Sequence, residues 1–192
     1  MDGGGDVGAA PARRVGIRLA PRELLVVAGL PGAGKSTALR ALTSSVPVTV
    51  LDSEGVYRVL SARSGLPHRV LRCVVHPVHY VRTVLCCARV RGPVVVHVPA
   101  TRVLARLALL GLAAATGRTA TLVWVDVPPG LALAGQRARG RMIKARSFVR
   151  HVRRARRTRR VMLAPTTPAG WRGVHVVTRA DIAEGIHLIP LG

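Results

Sequence analysis

The stretch Leu24-Leu-Val-Val-Ala-Gly29-Leu-Pro-Gly32-Ala-Gly34-Lys35-Ser36-Thr37 constrains this 192-residue chain more than any other. An apolar run reads as a buried strand, a glycine-rich turn follows, and a helix start comes next. Glycines at 29, 32 and 34 let the backbone curl around an anion and present successive N–H groups without Cβ interference. The helix beginning near Lys35 aims the positive end of its dipole at the same point. Lys35 brings a cation to the β- and γ-phosphates, and the Ser36 hydroxyl is the expected Mg²⁺ ligand. Thr37, the next helical position, is placed to meet phosphate through its backbone or hydroxyl. Gly29, Leu30, Pro31, Gly32, Ala33, Gly34, Lys35, Ser36 and Thr37 therefore read as the cradle of a nucleoside triphosphate with Mg²⁺, and the lack of an Asn-Lys-x-Asp guanine motif favours ATP. Lys35 and Lys144 are the only lysines among 30 Lys and Arg residues, so lysine is kept where arginine substitutes poorly.

The rest of the chain alternates short β-branched runs with longer helical stretches. The runs are Leu24–Ala28, Val48–Leu51, Val94–Val98, Thr121–Val127 and Val174–Thr178, each continuous enough for a strand buried on both faces. Helical stretches lie at Ser36–Ser44, Gly55–Ser64, Val78–Val90, Arg102–Thr116 and Leu131–Met162. This alternation predicts an α/β fold, a parallel sheet with helices on both faces and right-handed crossovers. Residues 1–20, rich in Gly, Ala, Pro and Arg, read as a flexible tail, and residues 21–192 as one domain. The longest membrane candidate, Val103–Ala115, contains Arg106 and falls short of the roughly 18 residues a span needs. Asp2 and Asp6 among glycines, ahead of Arg13 and Arg14, do not make a secretory signal, so the expectation is a cytoplasmic protein. Cys73, Cys86 and Cys87 lack metal-ligand spacing and suggest neither a zinc site nor a disulfide framework.

Just past the second strand come Asp52, Ser53 and Glu54, then Tyr57 and Arg58. In a doubly wound sheet that strand end faces the phosphate loop. A carboxylate there can take a proton from a substrate hydroxyl or hold Mg²⁺ through water. It can equally cap the following helix. Arg58, one turn on, is a candidate contact for an anionic substrate.

The loop at Gly29–Thr37 together with Asp52 resembles the small P-loop kinases, most closely the polynucleotide kinase and zeta-toxin-like group within the AAA family of ATPases. The resemblance spans roughly residues 22–190. It implies a three-layer fold with a five-stranded parallel sheet of order 2-3-1-4-5 and transfer of a phosphoryl group from ATP to a hydroxyl. It also implies that Asp52 is the base and Arg58 a substrate-phosphate contact. The third strand departs from the pattern: His97 and Val98 stand where many relatives place an aspartate that organises Mg²⁺, leaving the metal to Ser36, Asp52 and water. Thr101 and Arg102 follow and are candidates to face the crevice.

Leu131 to Arg141 resembles the lid of such kinases. Arg137 and Arg141, four apart, share a face if the helix continues through Gly140, with Arg139 pointing elsewhere; both are candidates to close over the triphosphate. Beyond, residues 146–160 carry arginines around a thin apolar stripe, in a chain of formal charge +22. Such a face is either solvated or docks a polyanion such as RNA or DNA. Two readings stand: an ATP-dependent kinase of a hydroxyl acceptor, or a nucleotide-dependent binding protein or ATPase with a nucleic-acid-docking surface and no kinase activity.

Overall fold

The structure is a computed structural model describing residues 15–65, 68–140 and 142–192. Along the chain run β1 (Val15–Leu19), β2 (Glu23–Gly29), α1 (Lys35–Arg40), β3 (Thr43–Ser44), β4 (Thr49–Leu51), α2 (Ser53–Ser64) and α3 (His68–Arg89). Then come β5 (Val94–His97), α4 (Val103–Ala115), β6 (Thr119–Asp126), α5 (Pro129–Arg137), α6 (Ala145–Met162), β7 (Gly173–Thr178) and β8 (Ile186–Pro190).

Five strands form one sheet in the order β4-β5-β2-β6-β7, every neighbouring pair parallel. Numbered by their own succession along the chain, these five stand in the order 2-3-1-4-5, as expected. The element numbers differ because β1, β3 and β8 belong elsewhere. Every residue of the central strand β2 is buried, which explains its unbroken apolar run. Helix α1 packs on β2, α3 on β5, and α4 and α6 on β6. Because β2 and β5 are neighbours, the phosphate loop after β2 opens beside the end of β5, at the switch point where such folds bind ligands.

Glu23, fully buried at the start of β2, needs a partner, since an unpaired buried charge is very costly. Arg172 Nη2 lies 2.8 Å and Nε 2.9 Å from its Oε2, and the Ala20 amide donates to the same oxygen at 2.9 Å. Arg172 also donates to the Arg18 carbonyl at 2.7 Å, tying β1 to the main sheet.

A second, three-stranded parallel sheet, β1-β8-β3, departs from the expected tail at residues 1–20. Val15, Ile17 and Leu19 alternate with Gly16 and Arg18, and Ile17 and Leu19 are buried against Ile186 and Leu188 of β8. This is ordinary period-two patterning hidden in a composition that resembles a linker. Residues 1–14 lie outside the described residues.

The helices also differ from expectation. The stretch Ser36–Ser44 is helical only to Arg40, and Thr43–Ser44 pairs with β8 instead. The helix expected from Val78 runs from His68, with Pro77 inside it. The stretch Leu131–Met162 is two helices, parted at a turn where Gly140 has φ 61°.

Candidate active site

The phosphate loop takes its shape from backbone that only glycine adopts readily: Gly29, Gly32 and Gly34 have φ of 143°, 89° and 98°. A second demand is close approach. A Cβ on Gly32 would stand 2.0 Å from the Ala132 carbonyl oxygen, and one on Gly135 would stand 2.3 Å from that of Gly32. Helix α5 thus lies backbone to backbone against the loop. Gln136, buried, completes the seam by donating to the Pro31 carbonyl at 3.0 Å and accepting from the Ile143 amide at 3.2 Å.

Lys35 is 4% exposed, and its Nζ donates to the carbonyls of Gly29 (3.0 Å) and Leu30 (2.7 Å). Burial, with the Arg139 charge adding to it and Asp52 opposing, lowers its pKa to about 7. A polyphosphate arriving here favours the charged form and reverses that effect.

Asp52 serves two partners through one oxygen. Oδ1 accepts from the Glu54 amide at 3.1 Å, capping α2, and from His97 Nδ1 at 2.7 Å. The capping reading is therefore realised, alongside a bond to His97, which lines the smaller cavity. Burial pushes the carboxyl up, but the His97 hydrogen bond and the other favourable contacts outweigh it, holding Asp52 below the usual carboxylate range. His97 is pushed down chiefly by burial, against its bond to Asp52, with Lys35 and Arg139 adding to the depression. A neutral imidazole donating to a carboxylate follows. Ser36 Oγ lies 3.5 Å from the same His97 nitrogen, so Ser36, His97 and Asp52 share one corner.

Two adjoining cavities open there. The smaller, about 200 Å³, is walled by Gly34, Lys35, Ser36, His79, His97 and Arg139. The larger, about 490 Å³, is walled by Tyr57, Tyr80, Thr101, Arg102, Met142 and His151 among others. Pro31, Ser53, Glu54, His76, Tyr80 and Pro99 border both. Thr101 and Arg102 thus face the crevice, as their place after β5 suggested.

Other expected residues fall differently. Arg58 is exposed on α2 and lies on the wall of neither cavity. Arg137, exposed at the end of α5, also lines neither. Arg141 lies outside the described residues. It is Arg139 whose Nη2 reaches Thr37 Oγ1, at 3.0 Å, because the chain leaves the helix before residue 139 and helical spacing no longer applies. His79 had no sequence signal, since α3 carries it in from 18 residues before His97. Gln136 and Gly135 are readable as site residues only once α5 is known to lie on the loop.

Among the described residues no group of three His, Cys, Asp or Glu is placed to hold a metal ion. The donors at the loop nonetheless suit Mg²⁺. The Ser36 hydroxyl and Asp52 carboxylate are hard oxygens, and Mg²⁺ needs only one or two of these besides water and phosphate oxygens.

A parallel 2-3-1-4-5 sheet with a glycine-rich loop closing on a buried lysine defines a kinase-like P-loop protein. The chain belongs to the AAA domain family, whose model matches residues 24–165. No curated protein is significantly similar to it in sequence. Among solved structures it is similar to a candidate kinase from Chloroflexus aurantiacus J-10-fl, with TM-score 0.59, 15% identity, and 83% of this chain and 86% of that one covered. It is also similar to the PezAT chromosomal toxin–antitoxin system of Streptococcus pneumoniae, with TM-score 0.58, 13% identity, and coverage of 84% and 69%. The tunicamycin resistance protein of Deinococcus radiodurans follows, with TM-score 0.51, 14% identity, and coverage of 84% and 91%. At such identities the likeness is one of fold. None of the described helices is long and apolar enough to cross a membrane.

Proposed function

We propose that this protein is a cytoplasmic kinase that transfers the γ-phosphoryl group of ATP to a hydroxyl acceptor, using residues 21–192 together with β1. The observation that carries this reading is the junction of two cavities at the phosphate loop, one against Lys35 and Ser36 and the other large enough for an acceptor. Pockets of about 300–1,000 Å³ are typical of small-molecule sites. Loop amides from Gly29 to Thr37 hold the phosphates, and Lys35, released from the loop carbonyls, turns its charge onto them. Arg139, already at Thr37, neutralises charge that develops on the transferring group. Ser36 and Asp52 would hold Mg²⁺, which supplies charge neutralisation at the β- and γ-phosphates. Asp52 is expected as the base, but its Oδ1 already receives two donors, so holding Mg²⁺ through water suits it better.

ATP turnover with Mg²⁺ tests this, comparing wild type with Lys35→Ala, alone and with a pool of RNA, nucleosides and small metabolites. Acceptor-stimulated turnover that disappears in the variant is expected. Tight ATP binding with no turnover under any condition would overturn it in favour of a nucleotide-gated binding protein.

A second reading has its own observation. Helix α6 buries Ala155, Thr158 and Met162 and exposes Arg146, Arg150, Arg153, Arg156, Arg157 and Arg160, while Arg159 pairs with Asp126 at 2.6 Å. This face is complementary to a nucleic-acid backbone, whether as a substrate or a partner. Binding of short RNA or DNA that weakens steeply with salt is expected. Absent or salt-insensitive binding would refute it.

A further inference from the structure

His79 is 2% exposed on α3, and its ring is used on one side only. Nε2 donates to the His97 carbonyl at 3.0 Å, which fixes the proton on that nitrogen and leaves Nδ1 as a lone-pair acceptor. Nδ1 is buried and has no hydrogen-bond partner. Burial lowers the pKa of the ring, against its bond to His97, so the lone pair stays available. Buried polar atoms are nearly always paired, so an orphan on a side chain that lines a cavity calls for a ligand atom, which meets it after a small turn of the ring or opening of the wall. The wall is that of the smaller cavity, shared with Lys35 and Ser36. An acceptor atom there calls for a donor, and a hydroxyl arriving for phosphoryl transfer is one.

The larger cavity tells what carries that hydroxyl. The chain has two Trp, two Tyr and one Phe. Trp124 and Trp171 are buried in the core, and Phe148 packs against it. Both tyrosines, Tyr57 of α2 and Tyr80 of α3, instead line this one cavity. Aromatic faces at a ligand pocket favour flat rings, whether heteroaromatic bases or the apolar faces of sugars.

Resting on the kinase reading above, we propose that the acceptor is a ring-bearing hydroxyl compound whose ring lies against Tyr57 and Tyr80 and whose hydroxyl donates to His79 Nδ1. In the transfer, the hydroxyl oxygen bonds to the γ-phosphorus as its proton passes to Nδ1. The bond from that phosphorus to the bridging oxygen breaks, and its electron pair leaves with ADP. His79 thereby takes the proton-accepting role that the sequence suggested for Asp52.

The test is calorimetric binding of adenosine, cytidine, glucose and the open-chain polyol sorbitol, with and without AMP-PNP·Mg²⁺, followed by turnover with ATP. Saturable binding of nucleosides or of glucose, and not of sorbitol, is expected, and which of the two binds identifies the ring. Tyr57→Leu/Tyr80→Leu should weaken that binding at least tenfold and leave AMP-PNP affinity within twofold. His79→Leu and His79→Gln should each cut acceptor-dependent turnover about a hundredfold, since the amide of Gln can hydrogen-bond a hydroxyl but cannot take its proton. The imidazole ¹⁵N resonance of Nδ1 in wild type should shift on acceptor binding, a readout that a structural histidine would not give and that needs no variant to fold. Sorbitol binding as well as the ring compounds, no ring compound binding, or an unmoved Nδ1 resonance would each overturn the proposal. Failure of AMP-PNP to bind wild type would instead sink the kinase reading, with the acceptor site judged by the nucleotide-free arm.

Discussion

Gly135→Ala is the smallest change that puts the seam between α5 and the phosphate loop under load. The new methyl would sit 2.3 Å from the Gly32 carbonyl oxygen, where contacts under 3.0 Å essentially do not occur, so the backbones must part by about 0.7 Å. Opening the seam that far stretches the 3.0 Å bond from Gln136 to Pro31 beyond useful range. Overpacking costs roughly 1–3 kcal/mol and the lost bond about 1 kcal/mol. At ~2–4 °C per kcal/mol for a chain of this size, the melting temperature should fall by roughly 4–16 °C. The same displacement moves the loop against its ligand, and a shift of about 1 Å can cost on the order of a hundredfold in turnover. Gly130→Ala is the internal control: it lies on the same helix, and a Cβ there meets nothing within 4 Å. It should be neutral or stabilising by up to about 1 kcal/mol, since it only removes unfolded-chain entropy. Thermal melts and AMP-PNP titrations of the two variants decide the matter. If Gly135→Ala melts with wild type and binds nucleotide equally well, the backbone contact does not govern the site.

Lys35 predicts a pH dependence whose sign is fixed by its value of about 7 in the free protein, lowered from 10.5. Above pH 7 the free amine is mostly neutral while bound phosphate favours the cation, so AMP-PNP affinity should fall by up to about tenfold per pH unit from pH 7 to 9. Calorimetry at pH 8 in buffers of different ionisation enthalpy should show proton uptake, and its absence would refute the assignment. Arg139→Ala should lower kcat about a hundredfold while Arg137→Ala stays within about threefold in the same steady-state assay, because Arg139 walls the smaller cavity and reaches Thr37, whereas Arg137 lines neither cavity. Arg106 donates to the Ala100 carbonyl at 2.9 Å and to Thr158 Oγ1 at 3.0 Å from a buried position. Its replacement in Arg106→Leu should destabilise by about 1–3 kcal/mol, read as a lower urea midpoint with an unchanged m-value.

Much of the fold was legible because local rules and tertiary demands agree. Strand β2 is apolar from Leu24 to Ala28 because it is buried throughout at the centre of the sheet, and the glycines that end and follow it answer a local backbone requirement. Strand β1 was equally patterned and was obscured only by the Gly- and Arg-rich composition around it. Arg139 departs from expectation for a different reason. Helical spacing joined Arg137 to Arg141, but the chain leaves the helix after Arg137, so Arg139 turns to the loop.

What the sequence determined by itself is the phosphate loop, since its turn, lysine and hydroxyl are consecutive and their geometry follows from local backbone conformation. The parallel sheet follows from alternation and the handedness of crossovers, and its strand order from the resemblance to the small P-loop kinases. Only the tertiary structure decided what surrounds the loop. His97 meets Asp52 across 45 residues, Gln136 meets Pro31 across 105, and the unsatisfied nitrogen of His79 comes to the cavity from the middle of a long helix. No periodicity encodes such meetings, because they are set by how whole elements pack, and a residue's neighbours along the chain carry no trace of them.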